Sequence, residues 1–498
     1  MERENGCRSG SAKAFLMHTV VKGETLATIA DKYGVTVRDI RKENKGLGFP
    51  KVNEIIRIPV ERVTEYQAPL QVLSDTARVE VNEVTDDEPV AVETTEVRSL
   101  KGDFRIALLL PLYYNENSER IEIDSSQIIK GKRIRKVINR DDKWIYPGTM
   151  PFLELYQGVL IAADTLRSLG LDIDIHVYDI RGDTLGLTRL IESGDLRDMD
   201  LIVGPVYSRN LSIMAAYADR LGIPVVTPVP LRNNDVLTGH SSVFITNPTL
   251  EVAQRAIADR VSVIDSSNFI FIHADSANYD DDVNGFRSLL LDKLSAKYGN
   301  DQPRFRELVF YSRSTVSRDS IRRLERLMMP GYNNVVLIAS EEPPVLSESV
   351  MDIHTLSKKY KVSLVGYPAM RDLENLDPKF YFDLGLELFS PYWIDYTSDD
   401  VVRFNRIYRQ KFFTEPQESS FAWQGYDLTY YFISGLAMHG KKFLNRPEIH
   451  NPDLLSTAFR FIRHDRGDGF ENQMLYLLKF SGEMELKKEG ESWERSGK

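Results

Sequence analysis

A serine at the carboxyl end of a buried strand can turn its hydroxyl, with the free amides of the helix that follows, toward an anion. Ser208 has that setting. From 200 to 230 the chain shows a short apolar run, Leu201 to Val203, and a break at Gly204-Pro205. Leu211, Met214, Ala215, Ala218 and Leu221 then recur at helical spacing, Gly222 stops the helix, and residues 223 to 226 form a second apolar run. This is one βαβ unit, and such units bind ligands at the carboxyl ends of their strands. The same hydroxyl can equally serve as a helix cap.

Other candidate chemistry is sparse. His-Glu-x-x-His, Gly-x-Ser-x-Gly, Ser-x-x-Lys and the P-loop are all missing, and the eight histidines are scattered. One cysteine, Cys7, excludes an internal disulfide and a thiolate zinc site. No cofactor or metal is expected. Asp280 to Gly285 copies the start of a calcium loop, with acids at positions 1 and 3, Asn284 at 5 and Gly285 at 6. Position 12 is Leu291, so the bidentate carboxylate is missing. The acids also fall where a helix must begin, which is the reading kept. Asp399-Asp400 and Glu341-Glu342 are neighbours in sequence, from which no catalytic geometry follows. His273 reads as a packed or rim residue at a strand end. Phe421, Trp423, Tyr426, Tyr430, Tyr431 and Phe432 have the spacing of core beneath a hinge.

Composition bounds what these residues serve. A length of 498 residues implies two or three domains. A net charge of −10 argues against general nucleic-acid binding. No apolar run approaches the roughly 20 residues of a membrane span. Residues 1 to 13 are polar and lack the apolar core of a signal peptide; if the protein is exported, its signal is expected outside this sequence. Gly6-Cys7 faintly matches a lipoprotein cleavage site but lacks the upstream apolar segment.

Five segments follow in order. Residues 1–16 read as a tail. Residues 17–60 read as a small β-α-α-β unit: a strand over 18–21, Leu26, Ile29 and Ala30 on one helical face, Thr36 and Asp39 as a capping box, and a strand over 54–58. Residues 61–102 read as an extended linker, since 61–100 hold ten acidic residues against Arg62, Arg78 and Arg98, and no glycine. Strands and helices alternate from 103 to 486, in two successive runs that predict two α/β lobes. Residues 115–150 interrupt the first run as a surface insertion, with seven basic residues against Asp141 and Asp142 in 127–143. Phe459 to Phe470 and Gln473 to Leu486 predict late strands, paired as a hairpin; 487–498 reads as a second tail.

Two resemblances sharpen this outline. His-Thr-Val-Val-Lys-Gly-Glu-Thr-Leu26, Ile29-Ala30, Tyr33-Gly-Val, Ile40, Asn44 and Ile56-Arg-Ile-Pro59 resemble a single LysM domain, with Asn53 where that family usually has glycine. The resemblance implies binding to the N-acetylglucosamine chain of peptidoglycan through Gly23, Glu24, Thr25, Leu47, Gly48 and Phe49. Residues 104 to 440 resemble the type I periplasmic-binding-protein fold of leucine/isoleucine/valine receptors. Phe104 to Leu112, Tyr156 to Asp164, Leu201 to Ser208, Gly222 to Pro228 and Gln424-Gly-Tyr-Asp427 carry that resemblance. The chain is also similar to the receptor-like domain of lipoprotein activators of penicillin-binding proteins.

The second resemblance implies an amino acid held between the lobes. Tyr207, Ser208 and Thr227 would meet its carboxylate, and Asp275 and Tyr279 its ammonium. Val229-Pro230-Leu231 departs from the small or hydroxyl residues usual there, and Pro230 supplies no amide. The expectation is a two-lobed α/β type I periplasmic-binding-protein fold behind a βααβ LysM domain. Its function would be that of a non-catalytic, peptidoglycan-tethered receptor of the periplasm or cell envelope, closing on an amino acid or wall-derived peptide. The alternative is an interaction protein that regulates cell-wall synthesis through its partners, without a small ligand.

Overall fold

Thr36 and Asp39 form the predicted capping box: Asp39 N–H donates to Thr36 Oγ1 at 3.2 Å and Thr36 N–H to the Asp39 carboxylate at 3.3 Å. The computed structural model describes residues 14–19, 26, 29–30, 35–44 and 55–60 of the N-terminal part. From 100 onward it describes all but 125–127, 130–131, 134–135, 266–267, 275–280, 300–302, 311–319, 372, 374–375 and 493–498. The chain divides into two units, 1–93 and 94–498.

In the first unit, β1 (Ala14–Thr19) pairs antiparallel with β2 (Ile55–Val60), so the first strand lies about four residues earlier than periodicity placed it. The capped helix is α1 (Val37–Glu43). Leu26, Ile29, Ala30, Ile40 and Ile56 form its core. Asn44 ties α1 to β2: its Nδ2 donates to the carbonyls of Ile40 and Arg57, each at 2.7 Å, and its Oδ1 accepts from Arg57 N–H at 2.8 Å.

The described part of the second unit opens at Leu100, whose N–H donates to Leu169 O at 2.9 Å, inside the stretch expected to be linker. Its first lobe begins with β3 (Asp103–Leu110). The insertion follows as α2 (Tyr114–Glu119), β4 (Ile121–Asp124), β5 (Ile128–Ile129), β6 (Lys132–Arg133) and β7 (Lys136–Asn139). β4 pairs with β7 and β5 with β6, so the expected surface loop contains two small antiparallel ladders. The lobe continues through α3 (Met150–Ser168), β8 (Asp172–Asp179), α4 (Thr184–Ser193), β9 (Leu201–Val203), α5 (Ser208–Leu221), β10 (Val225–Thr227) and β11 (Val243–Ile245).

The second lobe comprises α6 (Leu250–Val263), β12 (Asn268–His273), α7 (Asp281–Tyr298), β13 (Arg304–Val309), α8 (Ser320–Glu325), β14 (Asn333–Ala339), α9 (Pro343–Ser357), β15 (Lys361–Gly366), α10 (Lys379–Leu384) and β16 (Glu387–Ser390). The calcium-like acids precede or open α7, as the helix reading requires; Asp280 itself lies outside the described residues. The chain then returns to the first lobe as α11 (Asp399–Phe412), α12 (Phe421–His439), α13 (Lys442–Asn445), β17 (Phe461–Ile462) and β18 (Phe470–Asn472). β19 (Tyr476–Ser481) and β20 (Glu485–Glu491) close the second lobe.

Each lobe has one seven-stranded sheet. The orders are β17-β18-β11-β10-β9-β3-β8 and β13-β12-β14-β15-β16-β19-β20. Within both, the strands up to β16 pair in parallel. Two expectations are corrected here. The late strands do not form one hairpin: β18 joins β11 and β19 joins β16, in different sheets. The final strand also runs through Glu491, into the stretch read as tail, because β19 offers β20 an unpaired edge.

Both sheets are buried on both faces, which is why their strands read as continuous apolar runs. On β3, Ile106, Leu108 and Leu110 meet α3 and α12, while Ala107 and Leu109 meet α4 and α5. α3 and α12 approach unusually closely. A Cβ at Gly158 would stand 1.9 Å from Ala422 O, and one at Gly425 would stand 2.2 Å from Leu155 O. That approach fixes where the amino end of α12 sits. Three crossings, at 246–249, 391–398 and 473–475, join the lobes.

Candidate ligand cleft

The strand ends predict where a ligand belongs, and a large cavity lies there. It offers about 750 Å³ and is lined from both lobes. The second lobe contributes the residues after β12, β14, β15 and β16: Ala274, Ser340 to Glu342, Tyr367 to Ala369 with Arg371, and Pro391-Tyr392. The first lobe contributes Pro230 to Arg232 after β10, Thr246 to Thr249 after β11, and the amino end of α12 with Phe421 and Gln424.

Two ion pairs span the cleft. Arg232 of the first lobe meets Asp282 of α7 at 3.2 Å. Arg371, after β15, meets Glu418, in the loop that leads into α12. The Arg371 guanidinium also donates to Ser390 Oγ at 2.6 Å and Tyr392 O at 2.7 Å, and lies 3.9 Å from the Tyr392 ring centre. Its side chain is only 6% exposed. Burial raises the Tyr367 phenol well above its ordinary range; the Gln254 hydrogen bond opposes this, and the carboxylates of Glu341 and Asp282 add to it.

The crossings beneath the cleft are held by buried polar groups. The fully buried Glu471 accepts from Thr249 Oγ1 at 2.5 Å, Thr249 N–H at 3.3 Å and Asn234 Nδ2 at 3.0 Å. Asn472 Nδ2 donates to Thr246 O at 2.9 Å. Asp427, on α12, accepts from the N–H groups of Leu455, Ser456 and Thr457 and from Ser456 Oγ. Ser456 O in turn accepts from Trp393 N–H at 2.7 Å, on the second crossing.

Residues singled out by sequence fall differently. Ser208 is exposed at the start of α5, and neither it nor Tyr207 is among the residues lining the cavity. Tyr207 OH instead meets Tyr113 OH at 2.8 Å, at the root of the insertion. Tyr113 packs on Tyr146, with ring centres 4.6 Å apart, and Arg181 stacks over it at 5.5 Å. Burial, then the Tyr207 hydrogen bond, raises the Tyr113 phenol above its ordinary range. Thr227 is fully buried, and its Oγ1 has no hydrogen-bond partner among the described residues. Thr227 does not line the cavity; its carbonyl accepts from the lining Thr246 Oγ1 at 2.6 Å.

Asp275 and Tyr279 lie outside the described residues, as do Gly23, Glu24, Thr25, Leu47, Gly48, Phe49 and Asn53. His273 is buried at the end of β12, and the aromatic positions of α12 are core except at its cleft end. Sequence reasoning missed the four latch residues. The strand-end rule, applied to β10 and β15, points to the stretches holding Arg232 and Arg371; nothing in the sequence pairs them with Asp282 and Glu418. Among the described residues no group of three or more histidine, cysteine or acidic side chains is placed to hold a metal. No helix there is long and apolar enough to cross a membrane.

Comparison with known proteins agrees with this geometry. The LysM domain model matches residues 18–59. No match is found among curated proteins. Among solved structures, similarity extends over 78% of this chain. A branched-chain amino acid ABC transporter protein from Rhodospirillum rubrum is 14% identical, is covered over 99% of its length and gives a TM-score of 0.53. An ABC-type branched-chain amino acid transporter protein from Rhodopseudomonas palustris is 15% identical, covered over 96%, at 0.51. A periplasmic ligand-binding protein of a branched-chain amino acid ABC transporter from Burkholderia xenovorans is 11% identical, covered over 95%, at 0.51. At such identities the likeness speaks for the fold alone. The chain therefore carries a LysM domain at residues 18–59 and, after it, a two-lobed unit with the type I periplasmic-binding-protein fold.

Proposed function

We propose that this chain is a non-catalytic, envelope-located receptor that binds a small ligand between its two lobes and peptidoglycan through its LysM domain. The observation that carries the reading is the cleft itself: about 750 Å³ at the strand carboxyl ends, lined from both lobes. The latches and the three crossings supply a hinge. A ligand that touches both lobes favours the closed state by its differential affinity. On the glycan side, Gly23, Glu24, Thr25, Leu47, Gly48 and Phe49 would form the groove.

A thermal-shift screen of the full chain against amino acids, short peptides and muropeptides tests the receptor reading. A ligand at a hundredfold excess over its Kd should add about 2.7 kcal/mol of stability. The shift should vanish in Ala369→Trp, which fills the cleft, and persist in Ser208→Ala, which lies outside it. No shift from any compound would end this reading. Weight would then pass to the protein-partner alternative, which the exposed Tyr114, Val137 and Ile145 of the insertion favour. Co-sedimentation with insoluble peptidoglycan checks the LysM role: Leu47→Ala with Phe49→Ala should leave the chain in the supernatant. A clear zone in a peptidoglycan zymogram would overturn the non-catalytic reading.

A further inference from the structure

The charges of the cleft do not suit a free amino acid. Its described lining holds Asp282, Glu341, Glu342 and Glu418 against Arg232 and Arg371. Both arginines are engaged by the cross-cleft pairs. Glu341 and Glu342 have no ion-pair partner among the described residues, and both are exposed. Carboxylates at the start of α9 would ordinarily be explained as helix caps. Glu342 is the N-cap residue yet makes no side-chain cap bond, and its own N–H is taken by Ser340 Oγ at 3.1 Å.

Backbone donors for a carboxylate are reduced as well. At the ends of β10, β11, β15 and β16, where free amides would normally greet an anion, the lining residues include Pro230, Pro248, Pro368 and Pro391. None has an N–H. Ser208, the expected hydroxyl, lies outside the cavity. The rest of the lining includes apolar wall, from Leu231, Leu250, Val283, Phe421, Phe459 and Leu475, and the exposed Ser419. The lining hydroxyls of Thr246, Thr249, Ser390, Ser420 and Ser456 already donate within the protein, and one buried amide donor is left without a partner. That donor is Asn247, whose buried Nδ2 has no hydrogen-bond partner among the described residues.

We infer that the cleft takes a short apolar peptide presenting a cationic amine to Glu341 and Glu342 and an amide carbonyl to Asn247, with no free carboxylate in the cavity. This rests on the receptor reading and narrows it. A volume of about 750 Å³ is in the range that encloses drug-sized ligands, so a dipeptide or tripeptide body is accommodated.

A charge-matched series tests the ligand class by calorimetry on the full chain: leucine, 4-methylpentanoate, leucinamide, leucyl-phenylalaninamide and hexylamine. Leucyl-phenylalaninamide should bind tightest, and leucine and 4-methylpentanoate at least tenfold more weakly, because leucine brings a carboxylate without a charged partner and 4-methylpentanoate also lacks the ammonium. Glu341→Gln with Glu342→Gln should weaken the peptide amide about tenfold, with the unliganded melting curve unchanged because neither residue is in a latch. Asn247→Ala should weaken the peptide amide but not hexylamine; equal losses would replace the peptide by a simple amine. Binding of leucine or 4-methylpentanoate as tight as the amides would overturn the ligand class while leaving a small-molecule receptor. Silence across the series would also overturn the class; the receptor reading is then decided by the wider screen and Ala369→Trp.

Discussion

Asp427 is a carboxyl with no exposure that nevertheless receives four hydrogen bonds, at 2.6 to 3.1 Å. Burial outweighs those donors and raises its pKa to about 6. The unfolded value is about 3.9. Between these values the native state holds a proton that the unfolded chain has lost. The stabilisation is complete below about pH 4 and disappears as pH rises through about 6, a loss of roughly 3 kcal/mol. Asp427→Asn cannot titrate. Urea unfolding across this range should show wild type falling relative to the variant as pH rises; a constant gap would mean that Asp427 is ionised throughout. The motif Gln424-Gly-Tyr-Asp427 carried the family resemblance, yet Asp427 binds a loop and Gly425 admits a helix. Two of its four residues are thus legible as fold. The cleft's charges gave no such signal, because a carboxylate's role depends on whether an arginine from elsewhere reaches it.

At the scale of elements, the crossing of α3 and α12 sets the cleft's floor. Gly425→Ala would drive a methyl into Leu155 O, a backbone atom that cannot swing aside. The expected cost is about 3 kcal/mol, at the upper end for overpacking, with loss of ligand response because the amino end of α12 moves. Differential scanning calorimetry with and without ligand checks both; an unchanged melt would show that the helices can separate freely. Long periodic elements such as α3, α5 and α12 were readable from spacing alone. Short ones were not. β16 has four residues and begins with Glu387, a charge that argues against a buried strand. Arg260 from α6 and Lys479 from β19 reach that carboxylate at 2.6 and 3.2 Å and, against the burial that would raise its pKa, hold it below the ordinary range. Tertiary pairing made the strand possible, and no local pattern records it. The insertion hid its effect in the same way: its aromatic root meets Tyr207 through residues distant in sequence.

Across the whole two-lobed unit, the latches bear on how far the lobes can part. Arg232–Asp282 is largely exposed and contributes about 1 kcal/mol or less. Arg371 is buried, so truncating it leaves unpaired polar groups and should cost several kcal/mol. Arg232→Ala with Arg371→Ala should lengthen and broaden the distance between spin labels at Glu192→Cys and Lys358→Cys, in a Cys7→Ser background. An unchanged distribution would assign lobe spacing to the crossings alone.

Those crossings also govern synthesis. The first lobe lacks α12 and β18 until the whole of the second lobe except β19 and β20 has left the ribosome. The second lobe in turn waits for its last two strands, with the edge of β16 unpaired in the meantime. Neither sheet can be completed in the order in which it is made. A nascent chain of this protein therefore holds two unfinished edges at once, the condition under which strands find wrong partners. β18 and β19 have only residues 473–475 between them, so both sheets gain their missing strands in quick succession, and a chain stalled before that stretch emerges would carry two unfinished lobes.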